Sequence, residues 1–177
     1  ASAQLSGKPS LLNRRNAQQV EVSAAFSQEI TAVVAAYFQV KNSLVKDQMP
    51  TAASQILVQS LAKVSSAAGT GKDQTKWEKI KAELSQATVK LKTAKDISAA
   101  RNHFSSLSSA IIQLAENYQL PQKVVYQDYC PMAFNNKGGY WLSETEDIKN
   151  PYFGASMLSC GEVKKTYQKN LPSPTNP

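Results

Sequence analysis

Four sulfur-bearing residues near the C-terminal end of the chain are the side chains best suited to chemistry. The sequence has 2 cysteines and 3 methionines. Both cysteines and two of the methionines form two near-mirror pairs, CPM from residue 130 and MLSC from residue 157. Thiolates and thioethers are soft donors that prefer soft ions, above all Cu(I). The spacing therefore predicts that Cys130, Met132, Met157 and Cys160 converge on a copper ion.

Each candidate ligand also has a structural interpretation. Two cysteines in an exported protein usually form a disulfide, so Cys130 and Cys160 could instead close the segment covalently. Met132 and Met157, taken alone, would be ordinary core residues. The single histidine, His103, lies beside an apolar helical seam, where a structural hydrogen-bonding role is common. Since imidazole suits copper and zinc alike, we keep His103 as a fifth candidate ligand and zinc as the alternative metal.

Residues 123–167, which carry the sulfurs, are predicted to form an irregular metal-binding cap. Weak alternation predicts short strands at residues 124–129 and 140–142, joined by a turn rich in Asn and Gly. Five aromatic residues crowd the cap and would dock it and shield the sulfurs: Phe134, Tyr140, Trp141, Tyr152 and Phe153. Four carboxylates of the cap are predicted to lie on a solvated loop, because the sequence fixes no partner for them: Asp128, Glu144, Glu146 and Asp147.

Residues 26–122 are predicted to form the platform for this cap. Apolar residues recur at threes and fours in four stretches, which is typical of amphipathic helices. We expect helices at residues 27–47, 51–67, from a Thr75-x-x-Glu78 capping box, and from an Asp96 N-cap to Pro121. The fold class predicted is mainly α, an up-down four-helix bundle with an irregular C-terminal cap containing short strands.

The two ends of the chain carry no sustained apolar pattern. Residues 1–25 are predicted to be a flexible lead-in, and residues 168–177 a disordered tail. The length of 177 residues suits a single domain overall. Because the sequence starts at Ala1 without a methionine, we expect a trimmed, exported form whose N-terminal membrane anchor is missing.

Charge and composition argue against several classes of function. The net charge is +7, but the lysines of residues 72–95 are mixed with acidic residues and do not alternate with aromatic residues that could stack bases, so we expect no nucleic-acid partner. No apolar run approaches the roughly 20 residues of a membrane span. No set of nucleophile, base and orienting residue can be assembled around one histidine, so the protein is not expected to be an enzyme.

A longer motif runs through the cap. It comprises CPMA from residue 130, WLS from residue 141, NPYFG from residue 150, and Met157 and Cys160-Gly161; upstream, Tyr37, Lys41, Asp96, Arg101 and His103 fit the same pattern. This pattern resembles a bacterial family of unknown function, found alone or fused to periplasmic adaptor (membrane fusion) subunits of copper/silver-type heavy-metal efflux systems. The resemblance implies a periplasmic or cell-envelope protein that binds a heavy metal through the residues named above, with an efflux adaptor protein as partner.

These observations lead to one functional prediction with two alternatives. The protein is expected to be an envelope Cu(I) carrier or buffer in copper efflux or homeostasis. The alternatives are a structural or interaction module closed by a Cys130–Cys160 disulfide, and a zinc-binding domain that uses His103 and both cysteines. Counting free thiols and analysing bound metal would separate the three.

Overall fold

Four amphipathic helices followed by a small sheet make up the part of the chain that the computed structural model describes, residues 19–169. The helices are α1 (Ala24–Val45), α2 (Thr51–Lys63), α3 (Lys72–Lys92) and α4 (Ile97–Asn117). The strands are β1 (Val124–Cys130), β2 (Gly139–Ser143) and β3 (Glu162–Gln168). A one-turn left-handed segment lies at Ala133–Asn136 and a 3-10 turn at Gly154–Met157. The predicted mainly α bundle with a strand-containing cap is confirmed.

The helix boundaries follow local side-chain chemistry. As predicted, Asp96 caps α4, because its carboxylate accepts the Ala99 amide at 2.8 Å. The predicted capping box at Thr75 is wrong: α3 begins at Lys72, and the Thr75 hydroxyl donates to the carbonyl of Gly71 at 3.2 Å. Gly71 has φ +54, so the chain already turns into the helix one turn earlier than the box would require.

The second helix ends at Lys63, four residues before its predicted end. The connection between α2 and α3 is held by side chains of α1 and α3. Glu29 on α1 accepts the Ser65 and Ser66 amides at 3.2 and 2.9 Å, and Lys81 on α3 donates to the Val64 carbonyl at 2.7 Å. These long-range bonds satisfy backbone groups that would otherwise continue the helix, which sequence periodicity cannot reveal.

The bundle core is built from the apolar stripes of the four helices. Consecutive helices pack on one another, and α4 returns to α1. The largest fully buried side chains of the stripes include Phe26, Ile30, Tyr37 and Leu44 of α1, Leu57 of α2, Ile80, Leu84 and Leu91 of α3, and Phe104 of α4. Burying each such side chain contributes about 1.5–3 kcal/mol, so these stripes supply the main driving force of the fold.

The sheet is antiparallel with the order β2-β1-β3. The two predicted strands are present, but β3 was missed because its sequence, EVKKTYQ, carries little apolar alternation. The predicted disordered tail from residue 168 is wrong at its start, since Gln168 ends β3 and the Lys169 amide donates to Lys123 at 3.1 Å. Residues 170–177 lie outside the described part.

The predicted lead-in is likewise only partly covered. Residues 1–18 lie outside the described part of the chain. Residues 19–25 are structured, contrary to the prediction: Val20 forms a bridge with Tyr118, and α1 begins at Ala24. Ser23 caps that helix by accepting the Phe26 amide at 3.1 Å.

Aromatic rings join the sheet to the bundle. Tyr37 of α1 stacks on Phe104 of α4 at 5.4 Å, and its hydroxyl accepts the amide of Leu142 in β2 at 3.0 Å. Tyr152 lies 5.7 Å from Phe104 and 5.8 Å from Trp141 between ring centroids. The cap is therefore docked by one continuous aromatic cluster, as the composition of the segment predicted.

Candidate functional site

The two cysteines meet at the end of the sheet. Cys130 is the last residue of β1 and is fully buried, and Cys160 lies just before β3 and is half-buried. Their sulfur atoms are 2.7 Å apart, although 30 residues separate them in the chain. Both are free thiols in this structure. The predicted convergence of the two cysteines is thus present in the fold.

Both methionines are tied to Cys160 through their backbones. The Met132 amide donates to the Cys160 thiol, and the Cys160 amide donates to the Met157 carbonyl at 3.1 Å. The Met132 side chain is 49% exposed, an unusual position for a residue that would otherwise fill a core. The backbones of both methionines therefore lie beside Cys160, and the Met132 side chain is exposed to solvent.

The Cys160 thiol is held in its neutral form. Hydrogen bonding to Cys130, together with burial, raises the pKa of the Cys160 thiol to about 11. A metal ion bound by the pair would have to displace the thiol protons, because the thiolate is the form that ligates metals. Two chemistries are open to adjacent thiols of this kind: ligation of a soft ion and oxidation to a disulfide.

The segment that carries Cys160 is organised by Asn150, which is fully buried. Its side-chain oxygen accepts the amides of Tyr152 and Phe153 at 2.8 and 3.2 Å. Its side-chain nitrogen donates to the Cys160 carbonyl at 2.8 Å, and its backbone amide donates to the Leu158 carbonyl at 2.8 Å. Residues 150–160 are consequently closed into a single loop around one side chain.

This loop is fastened to the bundle by Arg101 and Asp47. Arg101 of α4 donates to the carbonyls of Pro151 and Leu44 at 2.8 and 3.0 Å, and to the Asp47 carboxylate at 2.7 Å. The other Asp47 oxygen accepts the Ala155 amide at 3.0 Å. The neighbouring guanidinium and this amide lower the pKa of Asp47. The sequence allows Arg101 a carboxylate partner without identifying it, and the structure shows that this partner is Asp47.

His103 lies elsewhere. It lines an open groove of about 320 Å³ between α3 and α4, together with Glu83, Gln86 and Lys90. The residues of α4 that contact the cap, Arg101 and Phe104, lie on the other side of the helix, because successive residues turn by about 100°. The structure therefore brings the two cysteine sulfurs together and places His103 in a separate groove.

A charged cluster lies beside β1 and β2, and the prediction that the cap carboxylates lie on a solvated loop is wrong for Asp128. Asp128 is fully buried, and Glu144 pairs with the buried Lys41 at 2.6 Å. Burial would raise the pKa of Glu144, but hydrogen bonds from Lys41 and Asn42 hold it below its usual range. The sequence did carry a signal, since Lys41 interrupts the apolar stripe of α1.

The Asp128 carboxylate is not stabilised by hydrogen bonds in the way that Glu144 is. Neither oxygen of its carboxylate has a hydrogen-bond partner among the described residues, nor has the nearby Trp141 indole nitrogen. Burial raises the pKa of Asp128 to about 7, against opposing effects of Lys41 and Trp141. Asp128 and Trp141 are paired across β1 and β2, so this cluster belongs to the strand that ends in Cys130.

Two further features of the described residues bear on ligands. No group of three or more His, Cys, Asp and Glu side chains in residues 19–169 is arranged to hold a metal ion. Among the helices of the same part of the chain, none has the length and apolar character to cross a membrane.

Comparison with known proteins gives one match. No curated protein and no solved structure matched the chain. The sequence profile of a family described as "Protein of unknown function (DUF3347)" matches residues 33–123. The matched stretch runs from α1 to the residue before β1, so it covers most of the bundle and ends before the cysteines. Because it spans just over half of the 177 residues, the chain belongs to the DUF3347 family of proteins of unknown function.

Proposed function

We propose that the protein binds Cu(I) through the thiolates of Cys130 and Cys160. The observation that supports this most strongly is the 2.7 Å approach of the two sulfur atoms at the surface end of the sheet. Two soft donors this close suit a soft ion that accepts few ligands. Zinc is the weaker candidate, because it usually takes four ligands from Cys, His and carboxylates, and no such group exists in the described residues.

Met132 and Met157 supply the additional sulfur donors in this proposal. Both are anchored to Cys160 by backbone hydrogen bonds, so their side chains start from backbone positions next to the thiol pair. The exposure of Met132 would let the ion enter and leave from solvent. The protein would then act as a carrier or buffer that captures Cu(I) and passes it on by exchange of sulfur ligands.

The proposal extends to location and partner. We place the protein in the cell envelope, with a heavy-metal efflux adaptor as the recipient of the ion. This part is supported by the resemblance of the cap motif to domains fused to such adaptors. Fractionation of the native cells, and transfer of Cu(I) from the loaded protein to a purified adaptor, test it directly.

Anaerobic titration with Cu(I) against a chromophoric chelator tests the metal site. The reduced protein should bind one equivalent, and Cys130→Ser with Cys160→Ser should lose at least about 100-fold in affinity because both thiolates are gone. Met132→Leu should weaken binding by a smaller factor. Met49→Leu is the matched control, since Met49 is 40% exposed at the end of the α1–α2 connection and lies away from the cysteines in sequence. Unchanged affinity in the double cysteine variant would overturn the proposal.

The same geometry supports a second candidate, a cap closed by a Cys130–Cys160 disulfide. Thiols in contact at 2.7 Å need only a small adjustment to form the bond. Thiol counting on denatured, unreduced protein from its native compartment distinguishes the two. Two free thiols per chain favour the metal site, and none favours the disulfide-closed module.

A further inference from the structure

We infer that Asp47 and Arg101 are positioning residues for the thiol pair: the ion pair that fastens the Cys160 loop to the bundle sets how often the two sulfurs meet. The inference rests on the proposed function only in taking the thiol pair as the working group of the protein. It concerns residues that lie on the helical bundle and bind no metal themselves.

The two cysteines are held by different kinds of structure. Cys130 pairs with Gly139 in the β1–β2 ladder, so its position is fixed by regular backbone hydrogen bonds. Cys160 precedes β3 and follows a 3-10 turn, and Gly161 after it has φ +141. Its place next to Cys130 therefore depends on the loop of residues 150–160, since the backbone bends freely at Gly161.

The loop moves as a unit because Asn150 ties its two ends together. Asn150 bonds the amides of Tyr152 and Phe153 at one end and the carbonyl of Cys160 at the other. A displacement at the beginning of the loop is thus carried to Cys160. Arg101 and Asp47 act at that beginning, on the Pro151 carbonyl and the Ala155 amide.

This ion pair differs from an ordinary surface pair. The Arg101 side chain is only 16% exposed, although Asp47 is 43% exposed, and the guanidinium binds three oxygen acceptors from two parts of the chain, the end of α1 and the loop. Gly154 packs so closely that an added Cβ would lie 2.1 Å from the Asp47 carboxylate. Exposed pairs contribute little, but this one joins α1, α4 and the loop in a fixed geometry.

The measurable consequence is the effective concentration of one thiol with respect to the other. It is read from the equilibrium with glutathione, and no metal is needed. The two thiols give two electrons and two protons to oxidised glutathione, which leaves as two reduced molecules, and the protein sulfurs form their bond. The ratio of oxidised to reduced protein at known glutathione concentrations is determined by alkylation and mass spectrometry.

Two variants and one control make the test specific. Asp47→Asn keeps a residue type that tolerates the φ of +57 at this position but removes the charge, and Arg101→Lys keeps the charge but loses the fork of donors. The control is Glu29→Gln. Glu29 also accepts two loop amides, those of Ser65 and Ser66, but that loop carries no cysteine.

Asp47→Asn is expected to lower the thiol–disulfide equilibrium constant by about 10-fold or more, and Arg101→Lys by a smaller factor. Glu29→Gln should lower the melting temperature comparably and leave the equilibrium constant within about 2-fold, because a general loss of stability does not move the sulfurs. Equal shifts in all three variants, or none in the first two, would overturn the inference. If wild-type protein binds no Cu(I), the proposed function fails while this test stands.

Discussion

The two cysteines of the candidate site are held by structures of different kinds, the strand β1 for Cys130 and the loop of residues 150–160 for Cys160. Cys130 ends a strand whose backbone is paired on both sides with β2 and β3. Cys160 ends a loop without regular structure, whose shape depends on the side chains of Asn150, Arg101 and Asp47. A strand is specified by many repeated backbone bonds, but this loop is specified by few, individually important contacts. Single substitutions should therefore affect the strand and the loop to different extents.

A single substitution in the loop that carries Cys160 should have a larger effect on stability than one in the strand that carries Cys130. Asn150→Ala removes the bond to the Cys160 carbonyl and leaves the amides of Tyr152 and Phe153 without a partner in a buried place. Because unpaired buried groups are expensive, we expect the free energy of unfolding to fall by about 3 kcal/mol. Urea denaturation followed by circular dichroism measures it.

Asn117→Ala is the matched control for that variant. Asn117 is half-buried, and its side chain bonds only the Gln113 carbonyl one turn earlier in its own helix, at 2.7 Å. Its loss should lower the free energy of unfolding by less than about 1 kcal/mol. Comparable losses in the two variants would show that Asn150 does not have the central role assigned to it.

The strand that ends in Cys130 contains a group that destabilises the fold, the carboxylate of Asp128. The pKa of Asp128 is raised by burial to about 7 from its usual 3.8, so between these values the folded protein holds a proton that the unfolded chain releases. The free energy of unfolding of the wild type should therefore fall as the pH rises through this window. Asp128→Asn, which cannot ionise, should be more stable than wild type by about 2 kcal/mol at pH 8 and similar to it at pH 4.

Denaturation of both proteins across pH 4–8 checks this prediction. Glu146→Gln serves as the control, because Glu146 is an exposed carboxylate of the same cap, and its difference from wild type should not change over this range. If Asp128→Asn is instead less stable at pH 8, the Asp128 carboxylate makes a favourable interaction with Lys41 that outweighs its burial.

The sequence predicted the strand that carries Cys130 far better than the loop that carries Cys160. Four helices and two strands follow from apolar periodicity and turn residues, because both report on burial within short stretches of chain. The Asp96 cap was likewise readable, since a cap acts over three residues. The approach of Cys130 and Cys160 was predicted from residue type, because soft donors in pairs have few other uses.

The remaining features depend on contacts between distant residues. Arg101 and Asp47 are 54 positions apart in the chain, and Lys41 and Glu144 are 103 apart. Lys41 interrupts the apolar stripe of α1, but no local pattern identifies its distant partner, and nothing local shows that Asp128 is buried. The strand β3 was missed for a related reason: its polar sequence is stabilised by pairing with β1, which only the assembled sheet provides.

The Tyr37 hydroxyl links α1 to the strand β2, and its removal has the smallest expected effect on stability. Tyr37→Phe removes the hydroxyl that accepts the Leu142 amide at 3.0 Å and bonds Ser108 at 2.8 Å. The free energy of unfolding should fall by about 1–2 kcal/mol, because the ring stays in place but the buried Leu142 amide loses its partner. The thiol–disulfide equilibrium constant should stay unchanged, since the ladder between β1 and β2 still holds Cys130. Tyr167→Phe, which loses one bond to Gln127 in the same sheet, is the control for stability. A shift in the equilibrium constant as large as that of Asp47→Asn would mean that the sulfurs depend equally on the strand and the loop, and that the bundle positions Cys130 as much as Cys160.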